Sequence, residues 1–171
     1  MTQAAAKTQE FKFVIHRTFD APRELVWKAW TTEKQLLQWF SPKGMPMTQC
    51  KLDFRPGGTL HYAMQLPNDG GLMWGKWEFI EISKPEKLVF MTMFSDENAG
   101  LGRHPLAPDW PQKMHSTVTF TEKNGKTTVT VEWFAHHPTD IERKTFIEGA
   151  SSMNQGWTGT FDQLEKFLAQ Q

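Results

Sequence analysis

The side chains in this sequence that could do chemistry are few, and their spacing says what they can and cannot form. Glu78, Glu81 and Glu132 fall in stretches with strand character, where an inward carboxylate would serve as a general acid or base. Glu132 alternates with Val131 and Trp133 and is expected to point outward. Simple alternation puts Glu78 and Glu81 on opposite faces, so at most one of them faces inward. His136 and His137 are neighbours on an extended segment, where successive side chains diverge, and they make a poor metal pair. With no HExxH signature and no close Cys/His cluster, a metal site is not expected. His61 lies on the polar phase of its strand and reads as solvated; His104 sits in a long loop, as a lid contact or a bystander. No nucleophile elbow, phosphate loop or dinucleotide fingerprint occurs, and Gly57-Gly58 and Gly70-Gly71 read as turn glycines. No catalytic residue and no cofactor can be assigned on these grounds. Tyr62, the single tyrosine, is left: a lone hydroxyl in an apolar wall either orients a ligand or is a satisfied core group.

The elements that must position these groups follow from periodicity. Residues 11–19 alternate Phe11, Phe13 and Ile15 with Lys12, His16 and Thr18, as a half-buried strand does. Pro22 and Glu24 behind Asp20 open a short helix carrying Leu25, Val26, Ala29 and Trp30. Thr32-Glu33 opens a second, which Ser41-Pro42-Lys43-Gly44 ends. From residue 48 the period becomes two, with turns at 55–58 and 67–71 and strands over 72–82 and 87–94. The last two are apolar on both phases in places, as central strands with cover on each side would be. Residues 95–113 show no period and contain three prolines, so they read as a lid or binding loop. Two further strands flank Lys123-Asn124-Gly125, a strong hairpin signal.

The C-terminal stretch predicts one long helix. Thr139 and Glu142 form a capping box, and Phe146, Ala150, Met153, Trp157, Phe161, Leu164 and Leu168 then recur at helical spacing. Such a helix would run roughly 45 Å, enough to cross the sheet. Consecutive antiparallel strands followed by a helix give an α+β layer architecture. Residues 1–10 read as a flexible N-terminal stretch before one domain over 11–171.

Composition limits the partners. Lys plus Arg balance Asp plus Glu at nineteen each, which argues against a nucleic-acid binder and against electrostatic attraction to an anionic membrane. No stretch approaches the ~20 apolar residues of a membrane span, and the polar, small residues 1–10 lack the apolar core of a signal peptide. One cysteine, Cys50, suits a reducing compartment, so a cytoplasmic location is expected. The aromatic balance is unusual: thirteen Phe and eight Trp against one Tyr, with nine Met, enough to fill a core or to line a pocket for an apolar guest.

A candidate pocket emerges where these residues face the last helix. Gly149 and Gly156 lie together beside the apolar stripe, with Ser152 next to them, and leave a trough along Met153 and Trp157. Each glycine costs about 1 kcal/mol in a helix interior, which either permits close approach to the sheet or widens a cavity. From the sheet, Tyr62 and Met64 face this trough, as do Met114 and Trp133. Trp74 or Trp77, with Phe79, is expected from the following strand and Met91 from the next, without the phase being fixed.

Several segments carry a family resemblance: residues 17–30 (RTFDAPRELVWKAW), Gln38–Pro42, Asp53–Gly58, Glu81-Ile82 with Pro85–Val89, and Gly156-Trp157 with Leu164. Together they resemble the SRPBCC superfamily, in particular its heat-shock chaperone ATPase activator-like group, also labelled polyketide-cyclase-like. The resemblance covers about residues 11–168. It implies a helix-grip fold, as in birch-pollen-allergen and START lipid-transfer domains: a curved antiparallel sheet around a long C-terminal helix, with two short helices after the first strand. It also implies a deep apolar cavity between sheet and helix. It does not choose among the superfamily's activities, because fold alone does not fix function. A binder or carrier of a small apolar, aromatic or lipid-like molecule is the leading expectation. A cyclase, hydratase or hydrolase in the same cavity, with Tyr62 or His104 as acid or base, is a rival, as is a chaperone-associated interaction module. Oligomeric state is left open between monomer and dimer.

Overall fold

The computed structural model describes residues 10–171, so the stretch expected to be flexible lies, but for residue 10, outside the described residues. In chain order the elements are β1 (Phe13–Phe19), α1 (Arg23–Thr31), α2 (Glu33–Trp39), β2 (Met47–Leu52), β3 (Thr59–Gln65), β4 (Leu72–Ser83), β5 (Lys87–Ser95), β6 (Lys113–Lys123), β7 (Lys126–Ala135), α3 (Asp140–Glu148) and α4 (Ala150–Leu168). The strands form one open, curved antiparallel sheet of seven in the order β1-β7-β6-β5-β4-β3-β2. The first strand therefore pairs with the last, Phe13 opposite Trp133 and Phe19 opposite Thr127. This is the helix-grip arrangement.

Local chemistry accounts for the joints. Asn124 and Gly125 both take positive φ (53° and 75°), as a tight hairpin between strands of right-handed twist requires. At the start of α3 the Thr139 hydroxyl accepts from the Glu142 N–H at 3.2 Å, and the Glu142 carboxylate accepts from the Thr139 N–H at 3.0 Å. Two of the helix's orphan donors are thereby satisfied.

Alternation along each strand sends one set of side chains toward the helices. Leu60, Leu88, Val118, Val129 and Val131 on this face are fully buried, against Phe161 and Leu164 of α4 and Val26 and Trp30 of α1. The apolar stripe expected for the last helix is buried as its spacing predicts, except for the half-buried Ala150.

One expectation is corrected here. The segment after Thr139 is two helices that meet at Gly149, whose ψ of 2° leaves the helical range. Hydrogen bonds continue through the joint, from the Gly149 N–H to Thr145 O and from the Met153 N–H to Gly149 O, both 2.9 Å. Spacing alone could not show the break, because the apolar period survives it. At 1.5 Å per residue α4 spans roughly 28 Å rather than 45 Å.

Candidate functional site

A cavity of about 280 Å³ lies between the inner face of the sheet and α4. That volume sits at the small end of ligand pockets, roughly 300–1,000 Å³. α4 makes close backbone approaches to β1, α1 and α2, while the middle strands stand farther from it. The cavity occupies that gap.

The lining comes from every layer. Tyr62 and Met64 of β3, Met73 and Trp77 of β4, and Thr92 and Phe94 of β5 form the sheet side. Met114 of β6 and Trp133 of β7 extend it. Ser152, Met153, Gly156 and Trp157 of α4 form the opposite wall. Phe40, Ser41 and Pro42, between α2 and β2, close one flank, and His104 and Trp110 of the 96–112 loop close another. That loop is tied at Arg103, whose Nη1 donates to the Glu142 carboxylate at 3.1 Å and to Pro108 O at 3.1 Å. Trp110 packs edge-on to Phe146 of α3 at 5.6 Å.

Tyr62 is held by a backbone device. It stands directly opposite Gly75 on β4, and its ring lies across that glycine. A Cβ at Gly75 would fall 2.4 Å from the Tyr62 hydroxyl, so a larger residue there would displace the ring. The Phe40 ring meets Tyr62 edge-on at 5.8 Å. Burial pushes the phenol up to about 12, against the lowering influence of Trp77 and Thr92 beside it. His104 is likewise held uncharged, its pKa lowered by burial. Its Nδ1 accepts from the Leu106 N–H at 3.0 Å, which leaves the proton of the neutral ring on Nε2.

Among the described residues, no Asp, Glu, Lys or Arg lines the cavity. Glu78 reaches Lys76 at 3.4 Å, and Glu81 pairs with Lys87 and Ser83, both at 2.8 Å. The parity expected for these two glutamates is corrected. A register shift between Phe79 and Glu81 makes Ile80 an extra residue, so Glu78 opposite Met91 and Glu81 opposite Val89 share the outer face. Cys50 offers no nucleophile: burial, then the nearby Glu33 charge, pushes its thiol up to about 12. No group of three or more His, Cys, Asp or Glu suited to a metal ion occurs among the described residues.

Of the side chains expected at the pocket, Tyr62, Met64, Trp77, Met114, Trp133, Met153, Gly156 and Trp157 are brought together around it. Four are not. Trp74 is on the outer face, stacked on His61 at 4.8 Å, because it lies an odd number of residues from Trp77. Met91 faces outward beside Glu78 and His115. Phe79 has the inward phase but sits past the cavity, 5.4 Å from Phe54 and 6.0 Å from Phe90. Gly149 is a point of close approach and not part of the trough: its Cβ would meet the Trp110 indole at 2.6 Å. Gly156, in contrast, has nothing within 4 Å of that position. His61, read as solvated, uses Nε2 to hydrogen-bond Asp96 O at 2.9 Å.

Periodicity missed Met73, Phe94 and Thr92, although fixing Trp77 inward would have placed all three through the register Gly75–Phe94 and Trp77–Thr92. Trp110 and Phe40 lie outside any periodic element and left no such signal.

The geometry agrees with comparisons to known proteins. A protein from Nitrosomonas europaea is 26% identical over 95% of this chain and 96% of its own, with a TM-score of 0.74. One from Arthrobacter aurescens is 26% identical over 98% and 91%, with a TM-score of 0.77. One from Staphylococcus epidermidis is 28% identical over 96% and 93%, with a TM-score of 0.68. No protein of curated function matches. The model of the family described as activator of Hsp90 ATPase homolog 1-like protein matches residues 20–169, and the chain belongs to that family.

Proposed function

We propose that this chain binds or carries a small apolar molecule, aromatic or lipid-like, in the cavity between the sheet and α4. Residues 11–171 would act as one domain in doing so. The observation that carries the reading is the open volume of about 280 Å³ walled by aromatic and methionine side chains, with no Asp, Glu, Lys or Arg in its lining among the described residues. Membership of a family that commonly binds hydrophobic ligands supports it. Four methionines in the wall (Met64, Met73, Met114 and Met153) supply surfaces that adapt to a guest. Gly156 keeps the helix side of the cavity open.

The test compares purified protein with protein stripped by organic solvent, by mass spectrometry and thermal melting. A co-purified molecule whose removal lowers Tm is the expected result; ligand at a hundred times its Kd adds about 2.7 kcal/mol. Gly156→Leu, which would project a side chain into the open space, should keep the fold and abolish the ligand-dependent Tm shift. If nothing co-purifies and no apolar compound moves Tm in either protein, the reading fails.

A further inference from the structure

We propose that the cavity takes an uncharged aromatic carbonyl compound, whose oxygen accepts a hydrogen bond from the Tyr62 hydroxyl. This rests on the carrier reading above and narrows it to a ligand class.

Charge is the first discriminator. A carboxylate or ammonium in this cavity would leave water without meeting an opposite charge, since no Asp, Glu, Lys or Arg lines it among the described residues. Such a transfer costs far more than one neutral hydrogen bond returns. The ligand is therefore neutral.

Direction of hydrogen bonding is the second. The Tyr62 hydroxyl makes no side-chain hydrogen bond among the described residues, and its neighbours in the lining are Trp77, whose indole N–H can only donate, and Thr92. What Tyr62 can offer a guest is therefore its own proton. The phenol stays protonated at any physiological pH, so Tyr62 donates. Other polar groups of the lining are committed or point the same way. The Trp133 Nε1–H donates to Ser116 Oγ at 2.9 Å, and the Thr160 hydroxyl donates to Gly156 O at 3.0 Å. His104 has its proton on Nε2 and is a second donor. The Ser41 and Ser152 hydroxyls can donate or accept and set no preference. The cavity thus offers donors to a guest that brings an acceptor.

Rigidity is the third. The Tyr62 ring lies across Gly75 and against the edge of Phe40, so the hydroxyl is held in place before any ligand arrives. The faces and edges of Trp77, Trp133 and Trp157 suit a flat ring system.

The experiment titrates the full chain with 2-acetylnaphthalene, its hydrocarbon counterpart 2-ethylnaphthalene and the anion 2-naphthoate, reading tryptophan fluorescence and heat. The ketone should bind about 5–10-fold more tightly than the hydrocarbon, the range of one neutral hydrogen bond. The anion should bind at least about 10-fold more weakly than the ketone. Tyr62→Phe should bring the ketone-to-hydrocarbon ratio to about one or below. The ranking in the unaltered protein tests the idea independently of how the variant folds. Equal affinity for ketone and hydrocarbon, a preserved ratio in Tyr62→Phe, or tight naphthoate binding overturns this inference and leaves the carrier reading standing. If none of the three probes binds, this inference fails, and the carrier reading stands or falls on its own test by co-purification and melting with other apolar compounds.

Discussion

At one end of the sheet's inner face, α1 presses Trp27 and Trp30 onto Phe54 and Phe120, with Trp39 of α2 packed on Trp30, and the rings close on one another beneath an outer groove at Trp27 and Phe54. At the other end the same strands carry Tyr62, Met64, Met73 and Met114 beneath α4, and about 280 Å³ stays open. The filled half is built from rigid rings at tight, mostly edge-on distances: Trp30 to Trp39 at 5.1 Å, Trp27 to Phe120 at 5.3 Å, Trp77 stacked on Phe90 at 4.1 Å. The open half uses methionines, a bare Gly156 and a loop whose ties include the Arg103–Glu142 ion pair, Trp110 and the His61–Asp96 hydrogen bond. Both halves belong to one sheet with one alternation, so the cavity is not a lapse in patterning. It exists because two short helices cover only part of the sheet and the residues opposite the remainder are small or flexible.

The sharpest way to break this comparison is to truncate one side chain in each half. Trp30 is 1% exposed and meets Trp39, Phe40, Trp77, Phe120 and Trp157. Trp30→Ala should cost about 3–5 kcal/mol in urea unfolding, as for other buried aromatic truncations. Met73→Ala removes a half-buried side chain whose atoms already border empty space, and should cost about 1 kcal/mol. Equal losses would mean that the open half is packed as tightly as the closed one in solution.

How much of this was legible in the sequence differs between the halves for the same physical reason. The inward phases of β3, β6 and β7 could be read because polar residues mark their outer faces, as His61, Thr117 and Thr130 do. On β4 and β5 the outer face also carries Trp74, Val89 and Met91, so alternation has no contrast to report and leaves the phase of Trp74 and Met91 unfixed. The bulge at Ile80 is a one-residue insertion with no compositional mark, and it reversed the parity argument for Glu81. Helical spacing read the last helix's apolar stripe correctly but treated Gly149 and Gly156 alike. What separates them is Trp110, a loop residue whose position depends on tertiary path and not on period.

That separation yields the next test, two identical substitutions seven residues apart with opposite signs. Gly149→Ala puts a methyl group 2.6 Å from the Trp110 indole, where something must move, and should destabilise by about 1–2 kcal/mol. Gly156→Ala meets nothing within 4 Å and should stabilise by up to about 1 kcal/mol through helix propensity. Trp110→Ala combined with Gly149→Ala should relieve most of the clash, seen as a favourable coupling in the double-mutant cycle. Two changes of the same sign would show that both glycines do the same job.

The smallest effect concerns how the open half is kept covered. Glu142 holds the start of α3 through the Thr139 N–H at 3.0 Å and anchors the loop through Arg103 at 3.1 Å. The backbone N–H of Thr139 is the main cause, with Arg103 behind it, of a carboxyl held below its usual range. A carboxylate depressed in the folded state stabilises fully above its unfolded pKa, about 4.3, and that stabilisation is lost as pH falls through the folded value. Wild type should therefore exceed Glu142→Gln by about 1 kcal/mol at pH 7, the size of a lost cap, with the gap closing toward pH 3. Urea midpoints of both proteins across that range measure it. The closed half lines its contacts with neutral rings, so Trp30→Ala should show a loss that does not vary over the same pH interval. A gap between wild type and Glu142→Gln that stays constant from pH 7 to pH 3 would mean that the carboxylate's charge is not what ties the loop to α3.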